Sequence, residues 1–132
     1  MFGYGMAGLC YFLAMIGKLH MPDNLWAYAI PLVLMGFFND LIMAPAWAAA
    51  QDIGGRYSAT VSGAMNSVGN LVGAVGGIAI TGNIIKAHTP AGASDMTTDG
   101  YVILFALYGI VYFLGAVSWL FIDASKPVVA EE

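Results

Sequence analysis

The stretch YVILFALYGIVYFLGAVSWLFI, residues 101–122, decides the fold class because it contains no charged side chain. It is long enough to cross the hydrocarbon core of a bilayer as a helix, which takes about 20 apolar residues. Three further apolar stretches lie at about residues 1–17, 25–51 and 58–85, and short polar segments separate them. The sequence therefore predicts an all-α membrane protein with four transmembrane helices.

The composition supports a chain that lies almost entirely within the membrane. Hydrophobic residues make up 60% of it and charged residues 9%, with a mean hydropathy of +0.79. Soluble domains carry about 25% charged residues, so polar side chains here are too few to cover a soluble fold. We expect the lipid bilayer as the chief partner and no soluble domain.

The sequence gives little support for a catalytic, metal-binding or nucleic-acid-binding function. The four basic residues are scattered at positions 18, 56, 86 and 126, which argues against a nucleic-acid surface. His20 and His88 lie in predicted loops without further ligands at metal-site spacing. The sequence contains no nucleotide-binding loop in a suitable context and no nucleophile–base–acid set. We therefore expect no enzyme, no metal and no cofactor.

The third predicted span has one polar face of small residues. At about 100° per residue, a single arc of the helix holds six of them: Ser62, Asn66, Gly69, Asn70, Gly73 and Gly77. Glycines four residues apart allow another helix to approach closely, so Gly69, Gly73 and Gly77 predict a helix-packing stripe. The two asparagine amides need partners in lipid. Either they join helices, or they face water or a ligand.

The second predicted span also carries polar groups inside an apolar run. Asn39 and Asp40 lie in its middle, and Trp47 and Gln51 lie near its end. A carboxylate within a span costs about 2.5–3.5 kcal/mol on insertion scales, so Asp40 is a functional candidate. It either faces a cavity or is hydrated near the interface. Trp47 either lines a cavity or belongs to the aromatic belt at the membrane surface.

An aromatic face runs along the fourth span. The residues that share it are Tyr101, Tyr108, Tyr112, Gly115 and Trp119. We interpret this face as a packing surface against the other helices.

The segment DIGGRYSATVSGAMNSVGNLVGAVGG, residues 52–77, resembles the loop and eleventh helix of major facilitator superfamily transporters. It is most similar to the anion:cation symporter branch, which carries sugar acids and other organic anions. The matching features are Asp52 at the end of one helix, Arg56 in a short turn, Ser62-Gly63, and the Asn66-Ser-Val-Gly69-Asn70 motif. Trp47, a few residues before Asp52, extends the similarity into the preceding helix.

The resemblance implies that the four spans are helices nine to twelve of a twelve-helix carrier. The chain would then be the C-terminal part of a secondary transporter, working with a missing N-terminal transmembrane half. Asn66, Asn70 and Trp47 would bind a small anionic substrate, which is moved together with a proton or sodium ion. The expected location is a bacterial inner membrane, which the chain would cross several times.

The sequence leaves alternatives for the orientation of the chain in the membrane and for the assembly to which it belongs. Lys18 and Lys86 fall on one predicted side, and Arg56 and Lys126 fall on the other, so the charges favour neither orientation. The resemblance implies that both termini and residues 52–56 face the cytoplasm. The alternative to a carrier is a small four-helix membrane subunit or scaffold of a larger complex.

Overall fold

The computed structural model describes residues 1–123, and all regular structure in that range is helical. The α-helices are α1 (Phe2–His20), α2 (Leu25–Gly54), α3 (Ser58–Leu71), α4 (Ile78–His88) and α5 (Thr98–Ser118). Two short 3₁₀ turns, Gly55–Tyr57 and Trp119–Phe121, follow α2 and α5, and a π-helical segment, Val72–Gly77, joins α3 to α4. The predicted all-α class is confirmed for this range. Lys126 and the acidic tail lie outside the described residues.

Three helical stretches are long and apolar enough to cross a membrane. They are Phe2–His20, Leu25–His88 and Thr98–Phe121, with mean hydropathies of 1.3, 1.6 and 2.1. They fit the expectation of an integral membrane protein. The predicted count of four spans is not confirmed, because residues 25–88 form one stretch of 64 residues in which α, 3₁₀ and π helix follow one another without a loop.

The helix ends differ from the predicted boundaries by a few residues, for local reasons. The Asn24 side chain caps α2 by accepting a hydrogen bond of 3.1 Å from the Trp26 N–H. The helix continues past Gln51 to Gly54 and ends at Gly55, whose φ of +48° favours glycine. The Thr97 hydroxyl caps α5 by accepting from the Gly100 N–H.

Helix α1 packs against both α2 and α5 through a seam of small residues. Ala7 and Ala14 are fully buried, and Cys10 is 3% exposed. Gly17 lies so close to the Ala27 carbonyl of α2 that a Cβ atom there would clash with the backbone. On the α5 side, a Cβ atom at Gly8 would lie 3.2 Å from the Gly109 carbonyl oxygen and closer still to a phenylalanine ring. These small residues let the helix backbones approach closely.

Aromatic rings fill the space between α1 and α5. The Tyr11 ring stacks on Tyr108 with centroids 5.5 Å apart and lies 5.6 Å from the Tyr112 ring. Nearer the other end of α5, the Tyr4 ring contacts Trp119 at 6.5 Å. The aromatic face of α5 thus packs against α1, as expected for a packing surface.

Lys18 connects three helices at one end of the bundle. Its ammonium group lies 4.8 Å from the Tyr28 ring of α2 and 4.7 Å from the Tyr101 ring of α5. It also donates a hydrogen bond of 3.2 Å to the Pro22 carbonyl. Helix α1 continues past the predicted end at Gly17 and includes Lys18 and His20.

The segment from α3 to α4 is held mainly at its two ends. Near its start, α3 packs on α2, where a Cβ atom at Gly54 would lie 3.3 Å from Val61. Near the other end, the hydroxyls of Thr81 and Tyr108 form a hydrogen bond of 2.5 Å that joins α4 to α5. Between these points the helix is largely exposed, and Leu71 keeps 66% of its surface accessible.

Candidate functional site

The two candidate asparagines of α3 form a hydrogen-bonded pair. Nδ2 of Asn70 donates to Oδ1 of Asn66 over 3.1 Å, one helical turn apart. Both side chains are exposed in this chain. The pair therefore satisfies one donor and one acceptor, and neither N–H group of Asn66 has a hydrogen-bond partner in residues 1–123.

Ser62 lies one turn before Asn66, in the part of α3 that packs on α2. It is 8% exposed, and its hydroxyl has no hydrogen-bond partner among the described residues. An unsatisfied buried hydroxyl costs about 1–3 kcal/mol. The polar arc predicted for the third span is therefore buried at Ser62 and exposed at the asparagines.

The polar candidates of α2 lie apart from the asparagine pair. Trp47 is half-buried, while Gln51 and Asp40 are exposed. Within residues 1–123, no hydrogen bond links any of these three side chains to Asn66 or Asn70. Their predicted roles in binding stay predictions.

Asn39 has a structural partner that sequence reasoning missed. Its Oδ1 accepts a hydrogen bond of 2.7 Å from the Tyr112 hydroxyl of α5. Thr81, which bonds Tyr108, was also missed. Both pairs join residues distant in sequence, and the only available signal was the spacing of Tyr108 and Tyr112, one turn apart on α5.

The predicted glycine stripe has no packing partner within the described chain. A Cβ atom added at Gly69, Gly73 or Gly77 would find no other atom within 4 Å. Close packing at this stripe would therefore need a helix from outside residues 1–123, and it stays a prediction.

Two apolar cavities flank the α3–α4 segment, and neither is lined by the asparagine pair. The first, about 460 Å³, lies between α2, α3 and α5 and is lined by Ala50, Met65 and Trp119 among others. The second, about 660 Å³, lies between the π-helical segment, α4 and α5. Neither lining includes a charged residue, so both are suited to apolar groups.

The described residues contain no cluster of three or more His, Cys, Asp or Glu side chains that could hold a metal ion. Comparison of the chain with protein-family models, curated proteins and solved structures finds no match. The geometry of the site and the sequence pattern are therefore what a functional proposal rests on.

Proposed function

We propose that this chain is the C-terminal part of a secondary transporter of the major facilitator type that moves small organic anions. In this proposal its helices are the ninth to twelfth of a twelve-helix carrier in a bacterial inner membrane. Transport is coupled to a proton or a sodium ion. The missing N-terminal half completes the substrate cavity, since such carriers bind substrate between two halves that rock against each other.

The observation that carries the proposal is the exposed Asn66–Asn70 pair. Amides in a span need partners, and here two N–H groups of Asn66 remain free. Free N–H donors suit the oxygens of a carboxylate or of sugar hydroxyls. They occur within the motif that resembles the symporter branch, which motivates the choice of an organic anion.

The turn after α2 supports a division of the 64-residue stretch into two spans. A straight helix of that length would extend about 96 Å, roughly three times the hydrocarbon thickness of about 30 Å. Gly55 has a positive φ, and α3 packs back onto α2 directly after it. A reversal at residues 55–57 gives the four spans of the proposal.

A four-helix subunit of a larger membrane complex is the second candidate. The observation that favours it is the exposed apolar surface of α3, where Val68 is 61% and Leu71 is 66% accessible. In a complex, another protein chain would cover that surface in place of lipid.

The genomic reading frame upstream of Met1 separates the two candidates. A carrier requires about eight further apolar segments of about 20 residues, in frame with this chain. A stop codon directly upstream of Met1, together with expression of a protein of this length, would contradict the carrier and favour the subunit. Where the longer frame exists, uptake of a labelled sugar acid into proteoliposomes tests the substrate class.

A further inference from the structure

The groove between α4 and α5 has the form of a lipid-chain site. Its volume is about 660 Å³, with Gly73, Gly76 and Gly77 along one wall and Leu107 and Val111 along the other. The three glycines create the depth, because a Cβ atom added at any of them would meet nothing within 4 Å. The glycines therefore leave part of this wall without side chains, while Ile78, Ile80 and Ile85 line the rest of it.

The groove surface suits an apolar ligand, because it offers a polar ligand few free hydrogen-bonding groups. Thr81 and Tyr108, which also line it, use their hydroxyls in a hydrogen bond with each other. The remaining lining consists of aliphatic side chains and glycines. Water would find few partners here, whereas a hydrocarbon chain would contact both walls.

The position and length of the groove fit an acyl chain. Both walls belong to helical stretches long and apolar enough to cross a membrane, so in a bilayer the groove lies at the depth of the hydrocarbon. From Val72 to Ile85 it follows the helix for about 20 Å, at about 1.5 Å per residue. One leaflet of the hydrocarbon core is about 15 Å thick, which is the depth that an acyl chain occupies.

A basic side chain stands where the headgroup of such a lipid would lie. Lys86 follows the groove residue Gly82 by four positions, so it lies one turn further on the same face of α4. It is exposed, and its ammonium group has no partner within residues 1–123. Asp95 lies in the loop after α4 and Asp99 in the first turn of α5, and neither pairs with Lys86. Lysines at helix ends extend towards the membrane surface, where lipid phosphates are.

We propose that this groove binds one glycerophospholipid, with an acyl chain between α4 and α5 and the phosphate at Lys86. The site uses neither asparagine of the pair, but it shares Gly73 and Gly77 with the predicted helix-packing stripe, so a lipid and an outside helix exclude each other there. The apolar groove supplies the contact area, and Lys86 supplies the charge complementarity.

Native mass spectrometry of the delipidated chain, titrated with dioleoyl phosphatidylglycerol in mild detergent, tests the site. We expect one tightly bound lipid per chain. Gly76→Leu fills the groove and should weaken binding at least tenfold, whereas Val75→Leu, which lies outside the groove, should leave it unchanged. Lys86→Gln should weaken binding about fivefold, as expected for one lysine near lipid headgroups. Inorganic phosphate at the same concentration should not displace the lipid.

A second groove variant keeps the test decisive. Val111→Trp fills the groove from α5, so it should also lose the lipid even if Gly76→Leu disturbs the helix; circular dichroism checks the fold of both. Equal lipid binding by wild type and Val111→Trp would overturn the proposal. So would a wild-type dimer that carries no lipid and dissociates in Val111→Trp, because a second copy would then occupy the groove.

Discussion

The Tyr112 hydroxyl donates a 2.7 Å hydrogen bond to Oδ1 of Asn39, and this bond joins α5 to α2 across the helix between them. The two residues are 73 positions apart in the chain. Polar hydrogen bonds between membrane helices contribute about 0.6 kcal/mol on average and up to about 1.7 kcal/mol. The bond satisfies the amide oxygen of Asn39, which lies in an otherwise apolar run.

We expect Tyr112→Phe to lower the free energy of unfolding by about 0.6–1.7 kcal/mol, because it removes this bond and keeps the ring. Thermal denaturation of the purified chain in detergent measures the change. Tyr101→Phe is the matched control, since that ring has no hydroxyl bond in residues 1–123 and should tolerate the change. A double variant with Asn39→Ala should show coupling; strict additivity would mean that the bond is not formed.

Gly17→Ala tests the close approach of α1 and α2. The new Cβ would press on the Ala27 backbone, which cannot move without separating the helices. Overpacking of this kind costs about 1–3 kcal/mol. Gly36→Ala, in open space on α2, should instead be neutral or stabilising by up to about 1 kcal/mol. Equal melting temperatures for the two variants would contradict the close packing of α1 on α2 at Gly17.

Lys18→Gln should destabilise the bundle by about 1 kcal/mol, because it removes the charge from the Tyr28 and Tyr101 rings. Lys18→Arg should retain most of the stability, since a guanidinium also rests on aromatic faces. The comparison uses chemical denaturation monitored by tryptophan fluorescence. If glutamine and arginine behave alike, the ring contacts contribute nothing.

Single cysteines test the four-span arrangement. In a Cys10→Ala background, Arg56→Cys and Ala91→Cys should react with a membrane-impermeant thiol reagent from opposite sides of the membrane. The proposed orientation places position 56 in the cytoplasm and position 91 outside. Reaction of both from one side, or protection of position 56 by lipid, would exclude four spans.

Asn66→Ala tests the substrate role, and it requires the complete carrier. Loss of a hydrogen bond to a charged ligand should weaken substrate affinity about ten- to a hundredfold, with insertion unchanged. Calorimetry on purified wild type and variant measures this. If Asn66 serves only to bond Asn70, the substitution should lower stability by a few tenths of a kcal/mol and leave affinity unaltered.

The sequence predicted the helical class and the position of each apolar run, because both follow from uninterrupted hydrophobic stretches. It also placed Asn66 and Asn70 on one face, since helical spacing alone determines that. The small-residue seam of α1 was available too: Gly3, Ala7, Cys10, Ala14 and Gly17 alternate at spacings of four and three. The packing prediction instead followed the glycines of the third span, which are more numerous.

Other features could not be read from local pattern. The Asn39–Tyr112 and Thr81–Tyr108 bonds join distant residues, and their formation depends on how α1, α2, α4 and α5 are arranged in space. The π-helical geometry of Val72–Gly77 is equally hidden, because its glycines permit several helical windings. The number of membrane spans depends on whether the chain turns at Gly55. The positive φ of this residue cannot be inferred from the hydrophobic periodicity of the sequence.

Lys18 bears on how the stability of the helix bundle depends on salt concentration. Among the interhelical contacts described above, it is the one that involves a charged side chain, and its partners are the rings of Tyr28 and Tyr101. Mobile ions screen the attraction between exposed opposite charges, with a Debye length of about 8 Å at physiological ionic strength. Hydrogen bonds, ring stacking and glycine contacts are not screened in this way. The packing of α1, α2 and α5 should therefore change little in stability from low to high salt concentration.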